Sequence, residues 1–359
     1  MTKRIVIVGG GYVGTQLARG LDDHADVTLI DQKSRFVHAP AMIRAVVDPS
    51  LVGQALIPYD KLLKRGRFVE ARVESIDGSR VTLSDGTGLE ADFIVVATGS
   101  DYAAPFKPEG ADFAGLRAEN ARVHGLLTAA ETVAIVGAGA VGTELAGEIS
   151  HAMPDKKITL ISSDQSLFPT LPAKLGAKLL AKLRARGVNV ILGARAENLA
   201  NLSAPYAGSL SLSDGQEITA DLVFPVIGAR AVPALLEGFP GVRKTSSNRV
   251  QTDGFMRPST LPNVFAAGDV ADNGDAMTIV AATRQIPWLK KTLLALAGGK
   301  TVDDIKPYKP WGKAPILLPL GPVSGNSYLI LGTFGDWVTR TMKGKDLFRA
   351  RYRKDLGQV

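Results

Sequence analysis

Two glycine triplets carry the most specific chemistry in this sequence. Gly9-x-Gly11-x-x-Gly14 follows the apolar run Ile5-Val6-Ile7-Val8 and opens an amphipathic stretch, and Asp31 closes the next strand-like run 22 positions after Gly9. In that context the first glycine allows a tight turn, the second lets backbone N–H groups approach a diphosphate, and the third lets helix and strand pack closely. Asp31 is placed to accept from ribose hydroxyls. Gly137-x-Gly139-x-x-Gly142 repeats the arrangement after Val133-Ala134-Ile135-Val136. Two such units in one chain point to two dinucleotides. The position matching Asp31 in the second unit is Ser162, followed by Ser163 and Asp164. A neutral reader neither excludes nor binds a 2'-phosphate, so NADH and NADPH both remain open.

Further candidates sit at strand ends, where ligands bind in doubly wound sheets. Thr98-Gly99 closes the run Phe93 to Ala97, Gly268-Asp269 closes Val264 to Ala267, and Gly228 closes Leu222 to Ile227. Asp269 suits a polyol chain, with the helix start near Met277 aiming its positive end at a ring that becomes anionic on reduction. It could equally cap a helix. Glu144, on the first turn after Gly142, can accept from a nicotinamide carboxamide, or it can simply favour the helix dipole. His38 lies in a loop near the expected ring, where a packing or surface role is the commoner one. No acidic or histidine cluster has metal-ligand spacing, so no metal is expected. There is no Gly-x-Ser-x-Gly elbow for a hydrolase. The chain has no cysteine, which removes disulfides, thiolate metal sites and any redox-active dithiol. Redox chemistry here must come from a cofactor.

The elements that hold these residues repeat. An apolar strand, a glycine turn, a helix and a second strand run from Arg4 to Asp31 and again from Thr132 to Asp164. Each is followed by a hairpin-like stretch (Arg72 to Gly86; Ser209 to Gly215) and a buried-type strand (Phe93 to Ala97; Leu222 to Gly228). The expected class is α/β: two Rossmann-like dinucleotide-binding domains plus a small C-terminal α+β segment. We expect a discontinuous first domain over 1–125 and 245–305, a second over 126–244, and a C-terminal cap over 306–359. At 359 residues and 45% hydrophobic content the chain can fill such cores. Its N-terminus reads as that of a protein kept in the cytoplasm, and no apolar run reaches membrane-spanning length. Of the net +7, a surplus of four sits in the final stretch, where seven Lys or Arg face three Asp from Asp336 to Val359. That tail mixes cations with Trp337, Met342, Leu347 and Phe348. It suits a helix on an anionic bilayer, peripheral at the inner face of the membrane, and equally an ordinary solvated helix.

Together these residues resemble the two-dinucleotide-binding-domain flavoproteins of the pyridine nucleotide-disulfide oxidoreductase type. Within them the chain is most similar to the branch of apoptosis-inducing-factor-like ferroptosis-suppressor quinone reductases and type II NADH dehydrogenases. Besides the glycine triplets, Met153 to Ile161, Leu175 to Val190, Asn263 to Asp272, Tyr308-Lys309-Pro310 and Lys345 to Phe348 carry the likeness. The resemblance implies FAD held by Gly9, Gly11, Gly14, Asp31, Arg44, the backbone of Val73, and Asp269, with Glu144 near the nicotinamide of NADH or NADPH. It implies a quinone as acceptor. Where disulfide reductases carry a cysteine pair, this sequence reads His38-Ala39-Pro40-Ala41-Met42-Ile43-Arg44. Two alternatives stay open: a ferredoxin or rubredoxin reductase of the same fold, and a flavin-containing protein- or nucleic-acid-binding module. The latter lacks any organised base-reading residues, so nucleic acid is not expected as a partner. Oligomeric state is not legible.

Overall fold

The computed structural model describes residues 2–258 and 260–358. The first repeat folds as β1 (Arg4–Val8), α1 (Tyr12–Leu21) and β2 (Asp26–Asp31). Val13, Leu17, Ala18 and Leu21 recur at helical spacing and form the buried face of α1. After α2 (Ala39–Ala45) come β3 (Arg67–Glu70), then β4 (Val73–Ile76), β5 (Arg80–Leu83) and β6 (Gly88–Glu90) as a separate antiparallel sheet, then β7 (Phe93–Val96). The Asp-Gly pairs at 77–78 and 85–86 make the two turns of that small sheet, with Gly78 and Gly86 at positive φ.

Helix α3 (Phe113–Ala129) leads to the second repeat: β8 (Thr132–Val136), α4 (Ala140–Ala152), β9 (Lys157–Ser162), α5 (Ala173–Ala185), β10 (Asn189–Leu192), β11 (Tyr206–Ser211) and β12 (Glu217–Pro225). After β13 (Val264–Ala266) and α6 (Ile279–Ala297), the chain ends in an antiparallel sheet of β14 (Ile316–Leu320), β15 (Ser324–Leu329) and β16 (Gly332–Phe334), then α7 (Asp336–Thr339) and α8 (Arg349–Asp355).

The strands form two five-stranded sheets, ordered β13-β7-β1-β2-β3 and β10-β9-β8-β12-β11. β1 and β8 run parallel to both neighbours, and both faces are covered, so these strands read as continuous apolar runs. The hairpin stretches are treated differently in the two copies. In the second, β12 is long enough to pair antiparallel with β11 through Glu217 to Ala220 and parallel with β8 through Leu222 to Pro225.

The tail departs from a single surface helix. It breaks into α7, a π-turn over Arg340–Gly344, and α8, with Leu347 and Phe348 at positive φ between them. Leu347, Tyr352 and Leu356 are buried, because the tail folds back onto α1 and α2. Arg19 donates to the carbonyls of Lys354 and Asp355, and Gln358 to Pro58 and Asp60.

Close packing at the glycine turns is testable. A Cβ on Gly14 would sit 1.8 Å from the Gly9 carbonyl oxygen, whereas one on Gly11 meets no atom within 4 Å. Gly14→Ala is expected to lower unfolding free energy in urea by about 2–3 kcal/mol, and Gly11→Ala by less than about 1 kcal/mol. Equal losses would contradict this account of the turn.

Candidate functional site

A cavity of about 1200 Å³ opens where the carboxyl edge of the first sheet meets α6, α4 and the tail. At one end, Gly9 to Gly11 turn into α1. Gly10 N–H donates to Asp31 Oδ2 (2.5 Å), and Lys33 donates to Asp31 Oδ1 through both its backbone N–H (2.8 Å) and its ammonium (2.9 Å). Asp31 therefore braces the glycine loop while keeping acceptor capacity toward the cavity. Tyr59 donates to the Gly10 carbonyl (2.7 Å), and its ring leaves no room for a Cβ there. Tyr59 carries no sequence signal, since its partner is a backbone atom 49 residues away.

Val73 lines the same end, beside Arg72. Thr98 donates to the Val232 carbonyl (2.7 Å), and Gly99, at φ +70°, turns into the cavity. Asp269 does not cap α6. Thr278 does that, accepting from Ala281 N–H, while Asp269 stands in a short turn over Gly268–Val270 and accepts from Ser100 Oγ (2.7 Å). Gly268 N–H donates to Gln285 (2.8 Å), and Met277 to Val280 present the start of α6 to the cavity.

Opposite, Glu144 lines the wall and is buried. The tail's Lys343 donates to its Oε1 (2.6 Å) and to the Leu317 carbonyl (3.1 Å). Burial pushes the Glu144 carboxyl up from its ordinary range, against the opposing pull of Lys343. Arg44, expected beside the dinucleotide, is not among the residues that line the cavity. Its guanidinium forks onto buried Glu148 (2.8–3.0 Å) and donates to the Gly344 carbonyl. A carboxylate buried one turn past Glu144 needs a cation, and Arg44 from the facing α2 pairs with it directly at 2.8 Å. The available sign of Glu148 was its place in a helix buried from Gly142 to Ser150.

The second triplet lies at the second sheet's edge, outside this cavity. From its helix and from the end of β12, the residues that reach the wall are Ala140, Val141, Glu144 and Ala229. Gly137 and Gly9 share φ +109°, and a Cβ on Gly142 would lie 1.9 Å from the Gly137 oxygen, repeating the first turn. Gly228 is at φ +113°, and Ser162 Oγ accepts from Asp164 N–H (3.2 Å). A diphosphate fits both turns: a Cβ on Gly11 or Gly139, each preceding a helix N-terminus, meets no protein atom.

The family model for pyridine nucleotide-disulphide oxidoreductases matches residues 3–285. The chain belongs to that family. It is 32% identical over 99% of its length, and 97% of the relative's, to apoptosis-inducing factor homolog B of Dictyostelium discoideum. It is 27% identical to ferroptosis suppressor protein 1 of Homo sapiens, covering 99% and 96% of the two chains. The sulfide:quinone oxidoreductase structure from Aquifex aeolicus superposes with a TM-score of 0.78 at 16% identity, over 99% of this chain and 91% of that one, a likeness of fold. This chain is thus an FAD-dependent NAD(P)H oxidoreductase, and it carries no cysteine.

His38 is fully buried under the tail. Its Nε2 donates to the Leu347 carbonyl (2.5 Å), so by the hydrogen-bond network Nδ1 accepts from Tyr12 (3.1 Å). Burial lowers its pKa to about 4. The imidazole is neutral in the folded chain and protonates near pH 6.5 when unfolded. Its contribution is present above about pH 6.5 and is lost as pH falls toward 4, worth about 3 kcal/mol across that window. Urea melts at pH 7 and 4.5 should show a steeper acid loss for wild type than for His38→Gln; equal losses would overturn the assignment.

Proposed function

We propose that this chain is an NAD(P)H:quinone oxidoreductase that works without a redox thiol. FAD, when bound, supplies the two-electron relay between nicotinamide and quinone. The observation that carries this reading is one cavity lined by Glu144 on α4 and by Pro40, Phe348 and Tyr352, in a chain with no thiol. In this reading Gly9, Gly11 and Gly14 receive the FAD diphosphate at the start of α1. Asp31 and Val73 hold the adenosine half, and Thr98, Gly99, Gly268 and Asp269 the polyol half. Gly137, Gly139, Gly142, Ser162 and Gly228 do the same service for NAD(P)H. Glu144, kept dry and paired with Lys343, orients the nicotinamide carboxamide. Phe348 and Tyr352 exclude water from the side where a quinone enters.

The first test is anaerobic titration of the purified yellow protein with NADH, then NADPH, then a short-chain ubiquinone. Bleaching followed by recovery supports the reading; flavin that NAD(P)H cannot bleach would end it. In stopped flow, Glu144→Gln is expected to slow bleaching roughly 10–100-fold with FAD still bound, while quinone reoxidation of pre-reduced protein stays unchanged.

For the acceptor's source we propose a peripheral position on an anionic bilayer. No described helix is long and apolar enough to cross a membrane. The support comes from the turn between β15 and β16 and from the first turn of the tail: Leu331 is 92% exposed, Ile330 69% and Trp337, on α7, 72%. Cations Arg340 and Lys345 follow in the chain and are also exposed. Inserting each apolar side chain is worth about 2 kcal/mol and each nearby cation about 1 kcal/mol. The double variant Ile330→Asp, Leu331→Asp should stay with the soluble fraction in flotation on phosphatidylserine vesicles that carry wild type up. Unchanged flotation of the variant would remove the turn from the proposal.

A further inference from the structure

Lys107 lies on the segment between the two-residue strand Ser100–Asp101 and α3, lines the cavity and is largely withdrawn from solvent. The other two lysines on the wall have carboxylate partners: Lys33 holds Asp31, and Lys343 holds Glu144. Among the described residues, no carboxylate forms an ion pair with Lys107. Its partner is Ser100, through the carbonyl and through Oγ at 3.3 Å. Ser100 Oγ spends its own proton on Asp269. Asp269 and Asp101 act on the ammonium from farther off, and burial pulls its pKa down.

An ammonium kept from water without a contacting anion is costly unless a ligand supplies the anion. The cavity gives that anion a place. Gly11 at the start of α1, Asp31, Ser100, Asp269 and Lys107 all line that one cavity, so a diphosphate at the helix start shares it with the lysine. The segment carrying Lys107 is tied down independently of any ligand. Ser100–Asp101 pairs antiparallel with Arg230–Ala231, and Ala104 N–H donates to the Ser203 carbonyl (2.8 Å).

We propose that Lys107 is the counter-cation of the FAD diphosphate, closing over the nucleotide from the side opposite the α1 N-terminus and setting how tightly the flavin is retained. Helix α1 offers N–H dipoles but no acidic or basic side chain in its first turn, so in this arrangement Lys107, a lining lysine with no carboxylate partner among the described residues, adds the full positive charge. The inference rests on the FAD reading of that site.

The test is release of FAD from the holoprotein on dilution, followed by the rise in flavin fluorescence. Lys107→Gln, which can still bond Ser100, should release FAD roughly 10–100-fold faster, the span of a charge-assisted hydrogen bond. Lys107→Arg should stay within a few-fold of wild type. Recapture of released FAD should be blocked better by ADP than by adenosine in wild type, and by a margin roughly 10-fold smaller in Lys107→Gln, where only the α1 N-terminus still favours the diphosphate. Unchanged release from Lys107→Gln, or release from Lys107→Arg as fast as from the glutamine variant, would overturn the proposal. Should Lys107→Gln fail to fold, Lys107→Met takes its place, and release of FAD from it as slow as from wild type would overturn the proposal. Wild type purified without flavin would instead overturn the FAD reading, a separate outcome.

Discussion

Two buried carboxylates one helical turn apart dominate the electrostatics of this molecule. Glu144 and Glu148 face inward on α4, where water cannot solvate them, and burial raises both carboxyls. Each is tolerated because a cation from another part of the chain meets it: Lys343 from the tail and Arg44 from α2. Leaving either partner alone would cost about 3–5 kcal/mol. The pairs therefore do more than neutralise charge. They make the second unit, α2 and the tail mutually dependent, and Arg44 adds a bond to the carbonyl of Gly344, the residue after Lys343. The wall that Glu144 gives to the cavity is the same wall that joins these three parts.

The duplicated turn is preserved closely where backbone geometry demands it and diverges elsewhere. Gly9 and Gly137 have the same φ, and each packs against the end of its neighbouring strand so tightly that a Cβ would overlap a carbonyl. The acids behind the turns are not duplicated: Asp31 braces Gly10 and Lys33, while the Ser162 hydroxyl accepts from Asp164 N–H two residues on. The outer strands diverge too, with a separate three-stranded sheet in one unit and an added antiparallel edge in the other.

The tail illustrates how composition can be read two ways. Its mixture of aromatic, aliphatic and basic residues matches a surface helix, yet in the fold most of the apolar members are used internally. Tyr352 stacks on Phe36 (5.7 Å) and lies against His38 and Tyr12, and the His38 ring holds the Leu347 carbonyl at a left-handed bend. Exposed apolar surface is left at Trp337 and Met342 in the tail and at the preceding β15–β16 turn.

Much of the scaffold was legible in the residues: the two strand–turn–helix units, the absence of thiol chemistry, and Gly9, Gly11, Asp31, Val73, Thr98 and Asp269 on one cavity. These follow from local rules, because periodicity and glycine geometry act over a few residues. What the sequence could not reveal was which charges meet. The resemblance implies Arg44 beside a dinucleotide and Glu144 near a nicotinamide; the fold adds that Arg44 pairs with Glu148 and that Glu144 is tied to Lys343, 199 residues away. Tyr59 and Lys107 carry no local signal at all. Desolvation and charge pairing depend on burial, and burial depends on segments remote in the chain, so only the tertiary structure decided them.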